Sequence, residues 1–365
     1  MVPQRPRQPA DIDMDSLSAQ FNNLGQAPHR DILTRAIRNV LLTDISEISL
    51  AQIVDGLPLY AVERDTYTGH GYLCGDHPLR EKHQQLRPGV LERTRQLLAD
   101  FDIDTLQISS KLLHEYKICA PGSKAFQMRL IELAAVSIHQ IAVQLYKSDT
   151  ITNNLHKDDG IARWEPPKEK DVLFWIYNPD GAPPTLFQHR QYREYDQYPD
   201  GVADGVGYWA ESRIFGGVVL FNRREPGSAD DVDPEGVYLH PERSMMTYRI
   251  CKLLDGQKLE LLQRLLSDSD AADPDTGIIP PLLPILVDQS NTQRVDPEDP
   301  AETHGIYRDL WELKPLGKGE LDMRLKDCID RIDFPTDRDL DQAQERAPRS
   351  GGRGSGPKKD TQASH

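Results

Sequence analysis

The sequence predicts an α+β fold, with an N-terminal helical half packed on a C-terminal mixed or antiparallel β-rich half. Three observations carry that expectation. Apolar residues recur with helical spacing from His29 to Lys147. After Lys147, short β-type runs separated by Gly, Pro and Asp take over. The two element types never alternate in the βαβ manner that a doubly wound sheet requires. No repeat of roughly twenty to fifty residues is present, which argues against solenoids and propellers. The expected organisation is a flexible segment 1–28, a helical region 29–150, a β-rich region 151–340 and a disordered basic tail 341–365. The two central regions are expected to form lobes sharing one interface.

In the helical half, Ile32, Ala36, Ile37, Val40 and Leu41 fall on one helix face. Val90, Leu91, Thr94, Leu97 and Leu98 repeat the pattern after Pro88-Gly89, a suitable helix opening. Ser123 is positioned to cap a long helix from Lys124 to Tyr146, whose second half is apolar nearly all round. That pattern marks a helix surrounded by other elements. The expected strands are Val172–Tyr177, Ile214–Phe221, Gly236–His240, Met245–Ile250 and Leu283–Val287. One helix interrupts them at Asp255–Leu266, with Asp255 as its expected cap and Leu259, Leu262 and Leu266 facing inward. Short helical segments are expected around Trp311 and at Met323–Ile329.

Charge and termini narrow the function classes. The chain of 365 residues carries a formal charge of −15, so a uniformly basic nucleic-acid footprint is absent and sequence-specific nucleic-acid binding is not expected. The Gly/Ser/Arg/Lys tail could hold acidic partners weakly, although a solubilising terminus explains it as well. The amino terminus has no apolar run resembling a signal peptide. The longest uncharged apolar stretch, Leu133 to Tyr146, is too short to cross a bilayer. Cys74, Cys119, Cys251 and Cys328 are scattered without a CxxC pair, which fits reduced thiols rather than a disulfide framework. A cytoplasmic protein without a membrane partner is expected.

The words DQYPDGVAD (196–204), GYWAE (207–211) and IFGGVVLFNR (214–223), with LPILVD (283–288), RVDP (294–297) and IYRDLWE (306–312) downstream, are distinctive. This block resembles one shared by uncharacterised proteins of filamentous fungi. The resemblance implies a fungal source and accessory or lineage-specific metabolism, such as secondary metabolism, and brings no reaction or cofactor. Within the block, Gly216-Gly217 in an apolar run points to a bulge or to close approach of another backbone or a ligand. Tyr208, Trp209 and Glu211 could form a pocket wall with one carboxylate. A sheet edge sealed by aromatics is the alternative.

Most catalytic signatures are missing: there is no GxxxxGK[ST], GxGxxG after a strand, HExxH or GxSxG. His29-Arg30-Asp31 imitates a kinase loop, but Ala36 stands where a metal-binding Asn belongs. The acidic run from Asp268 fails as a calcium loop, since Asp273 replaces its Gly and Ile279 its Glu. One constellation survives. His156, Asp158 and His240 have the order of a two-His, one-carboxylate iron site, and Arg249 is placed to clamp a cosubstrate carboxylate. This reading implies Fe(II) and 2-oxoglutarate on a jelly roll whose GG strand is 216–221. A turn at Asp158-Asp159-Gly160 and Pro241 directly after His240 count against it.

Two further clusters carry weaker alternatives. His139 shares a helix face with Glu132, as a metal pair or as a hydrogen-bonded core histidine. His70, Cys74, His77 and His83 have spacing that could hold zinc, without a firm fourth ligand. The expected function is a non-catalytic or accessory binding protein for a small molecule or a protein partner. Its site would be built around Tyr198–Phe221, with Tyr208, Trp209, Glu211 and Arg249 as binding residues. The Fe(II)/2-oxoglutarate oxygenase is the alternative.

Overall fold

In the computed structural model, the first half of the chain folds as α1 (His29–Leu41), α2 (Asp44–Asp55), α3 (Tyr60–Arg64), α4 (Leu79–Lys82), α5 (Val90–Ala99), α6 (Ser110–Ile118) and α7 (Lys124–Lys147). Within it, β1 (Ser18–Gln20) pairs antiparallel with β2 (Gln107–Ser109). The second half holds α8 (Val172–Tyr177), α9 (Val202–Phe215), β3 (Val218–Asn222), β4 (Val237–His240), β5 (Ile250–Lys252), α10 (Asp255–Leu266), β6 (Arg294–Val295) and β7 (Ile306–Tyr307). The structure describes residues 18–24, 28–66, 76–148, 160–170, 172–224, 235–243, 249–267, 283–295 and 304–312, with single residues 233, 247, 338 and 341. The fold is α+β, with helices concentrated before the sheet.

Strands β3 to β7 form one antiparallel sheet in the order β6-β5-β4-β3-β7. Its two faces are both buried, and strand alternation sorts the residues between them. Val219, Phe221, Val237, Leu239 and Cys251 join the main core, which also contains the buried side chains of α1, α2 and α7. Val218, Leu220, Tyr238, Ile250, Val295 and Ile306 face the other way and pack with Tyr192, Tyr198 and Tyr208. A tyrosine layer therefore covers the face that the helical half does not reach.

Helix α7 begins where the sequence places it, because the Ser123 side chain accepts a hydrogen bond from the Phe126 N–H at 3.2 Å. It is long and apolar enough to cross a membrane, yet 78% of its most apolar window is buried inside the fold. Its apolar surface thus serves the core. Helix α9 packs along it, and the close approach depends on Gly207, where a Cβ would lie 2.7 Å from the His139 ring. At the far end of α9, Gly216 has φ +100°, and a Cβ there would meet the Ile285 carbonyl. A Cβ on Gly217 would lie 2.9 Å from the His240 backbone. The Gly-Gly pair is thus a site of close backbone approach, one of the two readings its sequence allows.

Several expected elements are corrected. Val172–Tyr177 is a helix rather than a strand; an apolar run this short fits either period. The expected strand Ile214–Phe221 is split, since helix α9 runs through Phe215 and β3 begins at Val218. Strand β5 is Ile250–Lys252, residues 245, 246 and 248 of the expected strand Met245–Ile250 lie outside the described residues, and Leu283–Val287 is an irregular segment whose Ile285 N–H donates to the Phe215 carbonyl at 3.0 Å. Helix α10 is capped differently from the expectation. Asp255 is its first residue, and the Gln257 side chain accepts from the Leu254 N–H at 3.0 Å. Its inner face is Leu261, Leu262 and Leu265, while Leu259 is exposed. The helical segment expected at Met323–Ile329 and the tail 341–365, apart from Asp341, lie outside the described residues.

Gly207→Ala should lower stability by about 1–2 kcal/mol, because overpacking against a held ring outweighs the helix preference for Ala. Gly256→Ala, where a Cβ would meet nothing within 4 Å, should be neutral or stabilising by up to about 1 kcal/mol. Urea denaturation of the two variants beside the native protein checks the contrast.

Candidate functional site

Helix α9 carries Asp204, Tyr208 and Glu211 at i, i+4 and i+7, a spacing that puts all three on one face. That face meets His139 of α7 and the segment following β7. Nε2 of His139 lies 3.1 Å from Asp204 Oδ1, and Nδ1 lies 3.5 Å from Glu211 Oε2. Arg308 Nη1 donates to Glu211 Oε2 at 2.6 Å. The other Glu211 oxygen accepts the Val219 N–H of β3 at 2.7 Å. Strand β7 pairs with β3 only at Phe221 and Asn222, so this carboxylate serves an amide that the neighbouring strand does not reach.

The network extends in two directions. The Tyr208 hydroxyl donates to Glu312 Oε1 at 3.2 Å and accepts from Trp311 Nε1 at 2.9 Å. Its ring stacks on Tyr192 at 4.2 Å and meets the His139 ring edge-on at 4.6 Å. On the other side, Arg223 bonds Glu132 and also donates to the Arg308 carbonyl at 2.9 Å. Glu132 and His139, which share a helix face in the sequence, therefore belong to one buried polar network rather than to a metal pair.

The charges hold one another in place. Burial alone would push the Glu211 carboxyl up, but Arg308 and His139 bring it below the ordinary range. Burial opposes protonation of His139, and its contacts with Asp204 and Glu211 outweigh that, raising its pKa. Partial burial and the neighbouring Asp309 push Glu312 up to about 7, against the pull of Arg308. Glu312 accepts from the Tyr208 hydroxyl and the Arg308 N–H, and His139 meets Asp204 and Glu211. The groups of the network are committed to each other.

A second cluster lies near the C-terminal end of α9. Arg213 Nη1 is 3.2 Å from Asp65 Oδ2, and Arg243 Nη2 is 2.9 Å from the same oxygen. Glu63 is buried beside them, with Oε2 lacking a hydrogen-bond partner among the described residues. Burial and the charge of Glu242 raise its pKa to about 8, with Arg213 opposing. A carboxyl in this setting is neutral near pH 7.

The residues singled out in the sequence are placed as follows. Tyr208, Trp209 and Glu211 are at most 1% exposed, so they form no open pocket wall. They lie on helix α9, which carries them into the core. His240 ends β4, with its ring 5.0 Å from His189 and 5.7 Å from Tyr192. Arg249 is half-buried just before β5, its N–H donating to Thr247 Oγ1 at 3.0 Å. His156 and Asp158 lie outside the described residues. The strands among the described residues form one five-stranded antiparallel sheet and the small β1–β2 ribbon, not the jelly roll that the iron alternative implies.

His70 and Cys74 also lie outside the described residues. His77 packs edge-on against Trp164 at 5.0 Å, and burial lowers its pKa to about 4. Its Nδ1 accepts the Leu79 N–H at 3.2 Å. His83 Nε2 lies 3.2 Å from the Leu57 carbonyl. Among the described residues no group of three His, Cys, Asp or Glu side chains is gathered to hold a metal. Cys119 and Cys251 form no disulfide with each other, and Cys74 and Cys328 lie outside the described residues.

Sequence reasoning missed Arg308 and Asp204 as partners of His139, and Glu312 as the partner of Tyr208. It also missed a groove of about 790 Å³ lined by α1, α2, α5 and Ser267 just after α10. Arg35, Arg38 and Arg95 stand there with Asp31, Glu47, Leu41, Leu42 and Leu98. The signal available in the sequence was the exposed side of α1, where Arg residues alternate with the buried stripe. Comparison with protein-family models, curated proteins and solved structures found no match.

Glu211→Gln should cost about 3–5 kcal/mol, because it removes the fully buried carboxylate at Arg308 Nη1 and leaves the buried guanidinium with Asp309 alone at Nε. Equilibrium urea unfolding measures the loss. Glu63→Gln should behave differently, since the amide mimics the neutral acid. A carboxyl whose folded pKa is raised causes no loss below about 4.5, a growing loss up to about 8 and a constant one above it. The variant should therefore match the native protein at pH 4 and exceed it by about 2–5 kcal/mol at pH 9. Unfolding curves at both pH values give the difference.

Proposed function

We propose that this chain is a non-catalytic, accessory binding protein of the cytoplasm, and that its ligand-facing surface is the groove between α1, α2, α5 and the end of α10. The observation that carries this reading is the division of labour between its polar groups. The titratable side chains around His139 and Glu211 bond each other in the core, whereas the groove presents charged and apolar side chains outward. Leu42 in its wall is 65% exposed, a large apolar group that a bound partner would cover. The groove's volume falls within the range of about 300–1,000 Å³ usual for small-molecule sites. The likeness of the 192–223 block to filamentous-fungal proteins supports an accessory role in lineage-specific metabolism, and the thiols of Cys119 and Cys251 fit a reducing compartment.

The test is titration of the intact protein with 8-anilinonaphthalene-1-sulfonate, a fluorescent amphipath. Saturable binding of one molecule is expected, and Leu42→Asn should weaken it about 5- to 10-fold through lost apolar contact. An unchanged affinity in that variant removes the groove from the reading. Stoichiometric Fe(II) binding that His240→Ala abolishes would replace the whole reading with the oxygenase one.

A further inference from the structure

The groove is positively charged against the trend of the chain. The whole sequence carries −15, yet three of the groove's five charged side chains are the guanidinium groups of Arg35, Arg38 and Arg95. One of its two carboxylates, Glu47, is already bonded to Arg95. Arg38 is exposed and forms no ion pair with any described residue. The other pole that could repel an anion here, the carbonyl end of α10, is occupied. Asn39 Nδ2 donates to the carbonyls of Arg264, Leu265 and Ser267 at 3.2, 3.1 and 2.9 Å.

Beside the cations runs an apolar wall. Leu41 and Leu42 close α1, and Leu98 faces them from α5. An ion that needed only charge would gain nothing from this wall, and an apolar ligand would gain nothing from Arg38. We infer that the groove binds a small amphipathic carboxylate, its head against Arg38 and its apolar body along Leu41, Leu42 and Leu98. The two oxygens of a carboxylate match the planar fork of one guanidinium, and a single negative charge suits Arg38, which forms no ion pair with any described residue. This inference rests on the groove being the binding surface and adds the chemistry of what binds there.

The experiment compares two ligands with one body and different heads, decanoate and 1-decanol, as competitors of the bound fluorophore on the full chain. Decanoate should displace it at a concentration at least tenfold lower than 1-decanol. In Arg38→Gln that advantage should fall to threefold or less while 1-decanol is unaffected, with the thermal midpoint unchanged because Arg38 is exposed. Equal displacement by both ligands in the native protein, or a full decanoate advantage surviving in Arg38→Gln, overturns the inference. The Leu42→Asn variant separates the two levels of failure. If it weakens both ligands while Arg38→Gln weakens neither, the groove stands as the binding surface and the carboxylate assignment falls. If neither substitution matters, both fall together.

Discussion

A single buried carboxylate joins four elements of this molecule. Glu211 lies on α9, accepts the Val219 amide of the sheet through one oxygen, and faces Arg308 and His139 through the other. Helix α7, helix α9, strand β3 and the segment after β7 therefore meet at one side chain. A buried ion pair contributes little to stability compared with a well-packed apolar pair, but breaking one partner away is severe. The network thus acts as a constraint on arrangement. It fixes which face of α9 meets α7 and where the chain returns after its last strand.

Packing around that point follows from the constraint. With α9 rotated to put Asp204, Tyr208 and Glu211 toward His139, its neighbour Trp209 enters the main core and meets Phe187 edge-on at 4.7 Å. Tyr208 reaches the far side of the sheet and builds the tyrosine layer with Tyr192 and Tyr198. Burial of those phenols raises all three above the ordinary tyrosine range, so they remain neutral donors and aromatic surface. The region richest in distinctive residues is in this way the structural centre. The groove lies elsewhere, on α1, α2 and α5 beside the end of α10.

The helical half was legible because its signals are local. Ser123 caps α7 through its own side chain, and the stripe of Ala36, Ile37 and Val40 is buried as its spacing requires. The strands were less legible, for a physical reason. Both sheet faces are covered, so β3 reads as a continuous apolar run with no alternation to mark its start, and the helix before it is equally apolar. Gly216, in the left-handed region, is what ends one element and allows the other. Tyr208, Trp209 and Glu211 were recognisable as unusual, but their helical placement depends on Gly207 admitting α7. Arg308 lies 97 residues from Glu211 in sequence, and no local pattern announces such a pair.

The most direct measurement is a double-mutant cycle on Glu211 and Arg308, using Glu211→Gln, Arg308→Met and the combined variant in equilibrium unfolding. If the pair fixes the junction of α9 with the segment after β7, the combined variant will be less damaged than the sum of the single ones, with a coupling of about 2–3 kcal/mol. Losses that add within about 0.5 kcal/mol would mean that the two residues act independently, and that the junction is held by apolar packing alone.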